Sequence, residues 1–445
     1  MIKKFLIGNL IFFSFIMAMA KPFTINLGFF QLSISRILLI VMSIIFLANF
    51  KIYQNEHTTY SVKFVSIWFV YAILQGLYSW TISSSLWIKA VFFVSWYTLL
   101  ALIFVKFITK IKDIKNIFYI IQMAVVVQMG FGIYEYLTRN YLFIVSYTKE
   151  QMDYMIAVQG KALPFAAQGN PNNFALLMLT GFFVSFACFK FSEKIVLKIF
   201  SLAVCGASVW FINLTGSRAC LLGLALGIAF MIITNKKIRK KTVIILLAVL
   251  AGVTFLLLFG DVIYNIFINK ILGYSNSSIK DSDNYRLSLI SEGIRTCLQT
   301  LGMGTGAFGY SLAGQRGNVP WHNWWIEILT NYGLYIFIGY LIFYVKLFLN
   351  LFRSKQTAVD NDTQSIAGAL CGFMVAFIIS SISPASTLQI EWMGMIWAVI
   401  ICFEKIIIVY KQKPQSLIIN KIKDLKGKFK IEKNVFNFNN RKNNI

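Results

Sequence analysis

Long apolar runs recur along almost the whole chain, and they limit the possible folds more than any other feature. One of them, at residues 242–260, reads TVIILLAVLAGVTFLLLFG. A helix needs about 20 mostly apolar residues to cross the hydrocarbon core of a bilayer, where it satisfies its own backbone hydrogen bonds. Hydrophobic residues make up 58% of the 445 positions and charged residues 13%, which excludes an ordinary soluble protein. The sequence therefore predicts an all-α, polytopic integral membrane protein.

The apolar runs predict about twelve transmembrane helices in a single domain, residues 1–408. The first run resembles a signal peptide, but Lys21 and Pro22 follow it and further spans come after, so a retained span is the favoured interpretation. The predicted spans are residues 5–20, 36–50, 64–80, 86–105, 117–137, 174–191, 196–214, 219–234, 242–260, 324–349, 365–383 and 388–408.

Basic connections alternate with nearly uncharged ones along the chain, which places most basic residues on one side of the spans. The net charge of +25 does not indicate a nucleic-acid-binding domain, because Lys and Arg gather in short connections, such as NKKIRKK at residues 235–241, and in the tail at residues 409–445. Cytoplasmic loops of membrane proteins are enriched in Lys and Arg. We therefore predict cytoplasmic termini, a basic cytoplasmic tail and two long exofacial loops, residues 138–173 and residues 261–323, the latter between helices 9 and 10.

Six ionisable residues fall near the predicted exofacial ends of helices. A charge at the centre of a bilayer costs about 2.5–3.5 kcal/mol, and a charge at a helix end can instead reach water. Six such residues on the side that also has both long loops favour a polar exofacial site. A proton-coupled transporter would place its acids deeper. The six residues are Arg36, Lys89, Glu135, Arg218, Glu327 and Glu391.

The stretch TGSR, residues 215–218, suits anion binding. It predicts a tight turn at Gly216 and Ser217, with Arg218 at the start of the next helix. Free N–H groups at a helix N-terminus and a planar guanidinium both attract phosphate. An interfacial anchor is the alternative interpretation of this arginine.

A second arginine lies in a predicted helix of the large loop, capped by Ser282 or Asp283. Arg286 would then occupy the first turn, where the helix dipole disfavours a cation, which indicates an anionic partner. Arg295, further along the helix, has a position that favours a structural role. The following GMGTGAFG at residues 302–309 lacks the ending of an ATP-binding loop and predicts turns.

One of the two histidines of the chain, His322, lies at the mouth of a predicted span in the stretch WHNWWIE. Its ordinary pKa near 6.5 suits the transfer of a proton at neutral pH. Zinc is not favoured, because His57 is expected in the cytoplasm and the six cysteines form no cluster on the exofacial side. The tryptophans suit an interfacial belt or a sugar platform. A histidine of purely structural function is the alternative.

Three motifs in this order resemble the O-antigen ligase and polymerase superfamily. They are the TGSR turn, the arginine of an exofacial helix that runs into Gly-x-Gly-x-Gly, and the stretch HNWWIEILTNYGL. The local resemblance covers residues 205–345. It implies the transfer of a lipid-linked glycan from undecaprenyl pyrophosphate to an acceptor hydroxyl outside the bacterial inner membrane, with neither a cofactor nor a metal. It implies Arg218 and Arg286 as pyrophosphate-binding residues and His322 as the base, with Asn323 and Glu327 in support. Arg36 and Arg295 complete the candidate substrate-binding residues.

Three functions are open, and a flippase is the least favoured of them because the charges gather on the predicted exofacial side. A polymerase would pass the growing chain to another lipid-linked repeat unit, and it is favoured because nothing in the sequence marks a protein or lipid A acceptor site. A ligase would pass the glycan to lipid A core or to another acceptor. A flippase for lipid-linked oligosaccharide would line a central cavity with charge through both leaflets. A polymerase would have a flippase and a chain-length regulator of its pathway as partners.

Overall fold

The computed structural model describes residues 24–26, 31–48, 59–79, 84–141, 163–235, 278–306, 321–384, 386 and 390–409. Within these ranges the chain is helical, apart from an antiparallel hairpin of two short strands, β1 (Thr24–Asn26) and β2 (Gln31–Ser33), and a 3-10 turn at Ala166–Gln168. The α-helices are α1 (Ile34–Ala48), α2 (Tyr60–Leu74), α3 (Gly76–Ser79), α4 (Ser84–Phe107), α5 (Ile111–Thr138), α6 (Pro171–Phe191), α7 (Ile195–Leu214), α8 (Arg218–Ile233), α9 (Ser278–Gln299), α10 (Trp324–Thr357), α11 (Asn361–Ser380) and α12 (Glu391–Val409).

Ten of the twelve predicted spans coincide with these helices, and the spans at residues 5–20 and 242–260 lie outside the described residues, as do His57 and the basic tail from residue 410. Within the described ranges, six helices are long and apolar enough to cross a membrane by length and composition: α5, α6, α7, α10, α11 and α12. Four shorter apolar helices accompany them. The chain is a multi-pass membrane protein, while twelve spans and cytoplasmic termini stay predictions.

Small residues let α8 pack closely against α11. A Cβ atom added to Gly223 would lie 2.6 Å from the carbonyl oxygen of Ala376, and one added to Gly227 would lie 2.5 Å from that of Gly372. Close approach through small residues four apart is a common way to join helices in membranes, where lipid supplies no hydrophobic drive between them. This contact fixes the start of α8, at Arg218, relative to the end of α11.

A break at Gly333 divides α10 into two helical stretches. Its φ of 79° lies in the left-handed region, and a Cβ atom there would approach the carbonyl oxygen of Gly302 to 2.2 Å. The backbones meet directly, since the N–H of Leu334 donates to the carbonyl of Gly302 at 2.8 Å, and that of Thr305 to Thr330 at 2.9 Å. The glycines at residues 302–306 therefore form turns, as predicted, and these turns dock the end of α9 into the break.

The amide of Gln75, next to the end of α2, closes this junction. Its Nε2 donates to the carbonyl oxygens of Met303 at 3.1 Å and Asn331 at 2.9 Å, and the hydroxyl of Tyr71 also donates to Met303 at 2.8 Å. A helix break frees backbone carbonyls that must find donors when they are buried. The junction consequently holds α9, which carries Arg286, against the helix that follows His322.

At the opposite end of the bundle, two connections predicted to be cytoplasmic meet. The ammonium of Lys115, near the start of α5, lies 2.6 Å from the carboxylate of Asp362, near the start of α11.

All six cysteines are buried, as expected of small core residues.

Candidate functional site

The elements singled out in the sequence converge on residues that follow the end of α11. We define the serine segment as residues 381–384 and Ser386. The N–H of Trp324 donates to the carbonyl of Ser381 at 3.0 Å, and the hydroxyls of Ser217 and Ser383 lie 3.4 Å apart. In the sequence, this region includes only a short uncharged stretch, SPAST at residues 383–387. The segment connects elements that are more than 55 residues away from it in the sequence. The local sequence does not predict such contacts.

His322 lies half-buried immediately before α10, with a φ of 49° that few residues other than glycine adopt. Burial lowers the pKa of its imidazole, and the positive charge of Arg286 lowers it further. A hydrogen bond to the main chain of Ser383 opposes this shift, because an acceptor stabilises the protonated ring. Because burial and Arg286 both disfavour the charged ring, the imidazole is suited to accept a proton.

Arg286 lies close enough to His322 for its charge to act on the ring, as the family resemblance implies. The predicted start of its helix was wrong, however. The helix α9 begins at Ser278, so Ser282 and Asp283 lie inside it and Arg286 lies beyond the first turn. The helix dipole therefore does not act on this arginine, since its effect fades beyond the first turn.

Gly293 sets the distance between α9 and the first turns of α10. A Cβ atom there would lie 2.4 Å from Cγ2 of Ile326 and 3.1 Å from Cγ2 of Thr330. Together with the junction at Gly302 and Gly333, this close contact fixes α9 beside His322 at two points. The half-buried Arg286 is thus held on a helix packed against the helix that carries the histidine.

Arg218 begins α8, as predicted, and is half-buried. The preceding Gly216 supplies the turn with a φ of 67°, and Ser217 is the N-cap residue. The hydroxyl of Ser217 faces that of Ser383, whose main chain contacts His322. The start of α8 and the histidine are therefore linked through one residue of the serine segment.

Asn323 and its tryptophan neighbours are used in part to build α10. The side-chain oxygen of Asn323 caps the helix by accepting from the N–H groups of Trp325 and Ile326. Trp321 and Trp324 are buried, which contradicts the interfacial belt for these two. The indole N–H of Trp324 donates to the hydroxyl of Tyr340 at 2.8 Å. These side chains are needed to start and anchor α10.

Glu327, predicted to support the histidine, points into the protein and is 3% exposed. Its carboxylate accepts a hydrogen bond from the hydroxyl of Ser386, and its N–H donates to the carbonyl of Asn323 at 2.8 Å. The first turn of α10 is thus fastened to the serine segment by a side chain as well as by its backbone.

Arg36 has a different environment. Its Nε lies 2.8 Å from the carboxylate of Glu391, and its guanidinium lies 5.3 Å from the ring centre of Phe92 and 5.6 Å from that of Phe93. The hydroxyls of Ser33 and Ser35 also donate to this carboxylate. The pair is almost entirely buried, and these contacts favour a structural role for Arg36.

The other predicted charges are dispersed. Arg295 is exposed on α9. Glu135 is buried and accepts from the N–H groups of Phe165 and Ala166 at 2.8 and 2.7 Å, so it fixes part of the loop at residues 138–173. The side chain of Lys89 lies outside the described residues. Of the six charges predicted to be exofacial, at least four of those described bond to other parts of the protein: Arg36, Glu135, Glu327 and Glu391.

The arrangement offers one base and two cations at the same end of the bundle. A neutral imidazole can take a proton from a hydroxyl, and guanidiniums can stabilise a leaving group on which negative charge develops. A group transfer from a phosphorylated or pyrophosphorylated donor to an alcohol requires a base and cations of this kind.

Comparison with known proteins agrees with this chemistry. The family model described as O-antigen ligase matches residues 202–344, which include Arg218, Arg286 and His322. Over 89% of its length the chain is also 27% identical to the teichuronic acid biosynthesis protein TuaE of Bacillus subtilis (strain 168), of which 83% is covered. The predicted resemblance to the O-antigen ligase and polymerase superfamily is confirmed.

Proposed function

We propose that this multi-pass membrane protein, with its O-antigen ligase domain at residues 202–344, polymerises undecaprenyl-pyrophosphate-linked repeat units of a surface polysaccharide on the outer face of the cytoplasmic membrane. One observation carries the proposal: the half-buried His322 lies beside Arg286 and is linked through Ser383 to the start of α8, where Arg218 lies. A base and two permanent cations are thereby assembled from three elements that are far apart in the sequence.

In the proposed reaction, the hydroxyl oxygen of the acceptor sugar attacks the anomeric carbon of the growing chain. The bond between that carbon and the pyrophosphate oxygen breaks, and its electron pair leaves with undecaprenyl pyrophosphate. The hydroxyl proton passes to the free nitrogen of His322, while Arg218 and Arg286 stabilise the charge on the leaving pyrophosphate. A single displacement inverts the anomeric configuration. The proposal assigns no step to a metal ion, so we expect activity to persist in EDTA.

Polymerisation is preferred to ligation because the described residues include no feature specific to lipid A or a protein. The teichuronic acid biosynthesis of the Bacillus subtilis relative also supports a role in making a surface polysaccharide. The second candidate is ligation to lipid A core or another acceptor, which the description of the matching family favours.

Deletion of the gene tests the proposal and separates the two candidates. Loss of a polymerase leaves single repeat units on the final acceptor, whereas loss of a ligase leaves polymer attached to the carrier lipid. We expect single units, and we expect complementation by the wild-type chain but not by Arg218→Ala or His322→Ala at equal abundance in the membrane. Full-length glycan made by both variants would contradict the proposal.

A further inference from the structure

Glu327 has the burial of a structural residue but lies on the helix that follows the proposed base. Its side chain is 3% exposed, and it lies in the first turns of α10, five positions after His322. Burial of a carboxylate lowers the stability of a protein unless hydrogen bonds compensate the charge. The hydrogen-bond partners of Glu327 therefore indicate its role. One partner is the hydroxyl of Ser386, in the serine segment.

The serine segment in turn holds two of the three proposed catalytic residues in place. The main chain of Ser383 lies close enough to the ring of His322 to favour its protonated form. The hydroxyl of the same residue lies 3.4 Å from that of Ser217, the N-cap residue of the helix that begins at Arg218. Any movement of this segment would consequently turn the imidazole and shift the start of α8 together.

Two hydrogen bonds among the described residues anchor the segment to α10. The backbone bond from Trp324 to Ser381 fixes its first residue, at 3.0 Å. Ser386 lies beyond Ser383 in the sequence, and its bond to Glu327 anchors the far side. Ser383 is thus held between an anchor before it and an anchor after it, and both anchors are on the helix that His322 precedes.

We propose that Glu327 is a positioning residue, which holds Ser386 and thereby keeps the main chain of Ser383 oriented toward His322. The inference rests on the proposed function, because it gives His322 the role of the base. The main chain of Ser383 then orients the histidine directly. The carboxylate of Glu327 acts indirectly, through Ser386. Fixing the tautomer and the ring direction of a histidine through its second nitrogen is a general device of catalytic and metal sites.

The test measures ladder formation by purified protein in nanodiscs with undecaprenyl-pyrophosphate repeat units. We expect Glu327→Ala and Ser386→Ala each to lower kcat roughly 10- to 100-fold, the range found for residues that orient a histidine ligand. KM for the repeat unit should stay within about twofold, and the acid limb of the pH profile should move. Glu327→Gln keeps an acceptor for Ser386 and should retain most of the activity.

A matched control is Ser35→Ala, which removes the hydroxyl that donates to Glu391, the other buried carboxylate near a helix start. Its kcat should match that of the wild type. Equal kcat in Ser386→Ala and the wild type would overturn the positioning role, as would equal losses in Ser386→Ala and Ser35→Ala. Because Ser386→Ala changes only one hydroxyl, it keeps the test valid even if Glu327→Ala does not fold.

Double variants distinguish a failure of the inference from a failure of the proposed function. Residues that act as one unit are strongly non-additive, so Glu327→Ala should cause no further loss in a His322→Ala background. A multiplied loss would overturn the positioning role alone, since Glu327 would then act independently of the histidine. Wild-type activity of His322→Ala would overturn both.

Discussion

Two arginine sites differ in how the protein treats the charge. Arg36 is paired with Glu391 at 2.8 Å, and the side chains of the two residues are 11% and 3% exposed. Arg286 is half-buried, and its charge acts on the ring of His322, with no carboxylate partner among the side chains that the structure describes. The charge of Arg36 is used within the protein, whereas the charge of Arg286 can act on a substrate.

The difference shows what converts an arginine near a helix end into a candidate phosphate-binding group. Both arginines satisfy the same description in the sequence, as cations near a predicted exofacial helix end. A carboxylate that is 355 positions away in the sequence neutralises one of them. The local environment in three dimensions therefore decides which arginine can bind an anion, and each prediction below tests that distinction.

The largest expected effect is on turnover by the site around the histidine. Arg218→Ala and Arg286→Ala should each lower kcat by about 10²–10³, the loss typical when one group that stabilises a developing charge is removed. Rates of polymer formation by purified variants measure this effect. Near-normal turnover in either variant would remove that residue from the proposed pyrophosphate site.

The arginine paired with Glu391 should affect stability instead. Arg36→Ala leaves the Glu391 carboxylate buried without its cation, at a cost of about 3–5 kcal/mol. Replacing both residues, as in Arg36→Met with Glu391→Leu, should recover much of that loss. Thermal unfolding in detergent gives the comparison. If Arg36→Ala unfolds like the wild type but loses turnover, Arg36 belongs to the substrate site.

A smaller loss of stability is expected where α9 docks against α10. Gly304 has a φ of 80°, and an added Cβ atom would lie 2.5 Å from the backbone nitrogen of Gly333. Gly169 also has a positive φ, of 65°, but an added Cβ atom would meet nothing within 4 Å. Both alanine variants bear the conformational cost of about 1–2 kcal/mol.

Only Gly304→Ala adds the clash, and it should destabilise the protein by about 3 kcal/mol in total. It should also weaken the site at Arg286 and leave the Arg36 pair intact. The same unfolding assay applied to Gly169→Ala provides the control. Equal losses of stability in the two variants would mean that the junction tolerates the added methyl group.

The smallest effect concerns the pH dependence. Arg286 lowers the pKa of His322, so Arg286→Gln should raise that pKa. The base is active when neutral, and activity is lost as the pH falls through its pKa. The acid limb of kcat/KM should therefore move to higher pH in the variant. An unchanged limb would show that the group that titrates is not beside Arg286.

The sequence predicted much of this protein because the membrane imposes a simple requirement on every span. Ten apolar runs coincide with helices, and Arg218 and His322 lie at the helix starts that their motifs indicated. The predicted start of α9 was wrong. Ser282 and Asp283 are residue types that often cap helices, but they can also lie inside a helix, as they do here. The burial of Trp324 was missed because an aromatic residue near a span end satisfies an interfacial and a core environment equally well.

The serine segment and the ion pair of Arg36 could not be predicted locally. Ser383 and Ser217 are separated by 166 positions, and Glu327 and Ser386 by 59. The docking of α8 against α11, through Gly223 and Gly227, brings the first two together. Such contacts depend on helix packing, which the periodicity of a single span does not specify.

The most direct test of the central claim is a reaction with purified components. Wild-type protein in nanodiscs would be incubated with undecaprenyl-pyrophosphate repeat units and no other acceptor, beside the His322→Ala variant. The proposed polymerase forms a ladder of lengthening glycans and releases one undecaprenyl pyrophosphate for each bond, while the variant forms little or none. No ladder from the wild-type protein, or an equal ladder from the variant, would contradict the account.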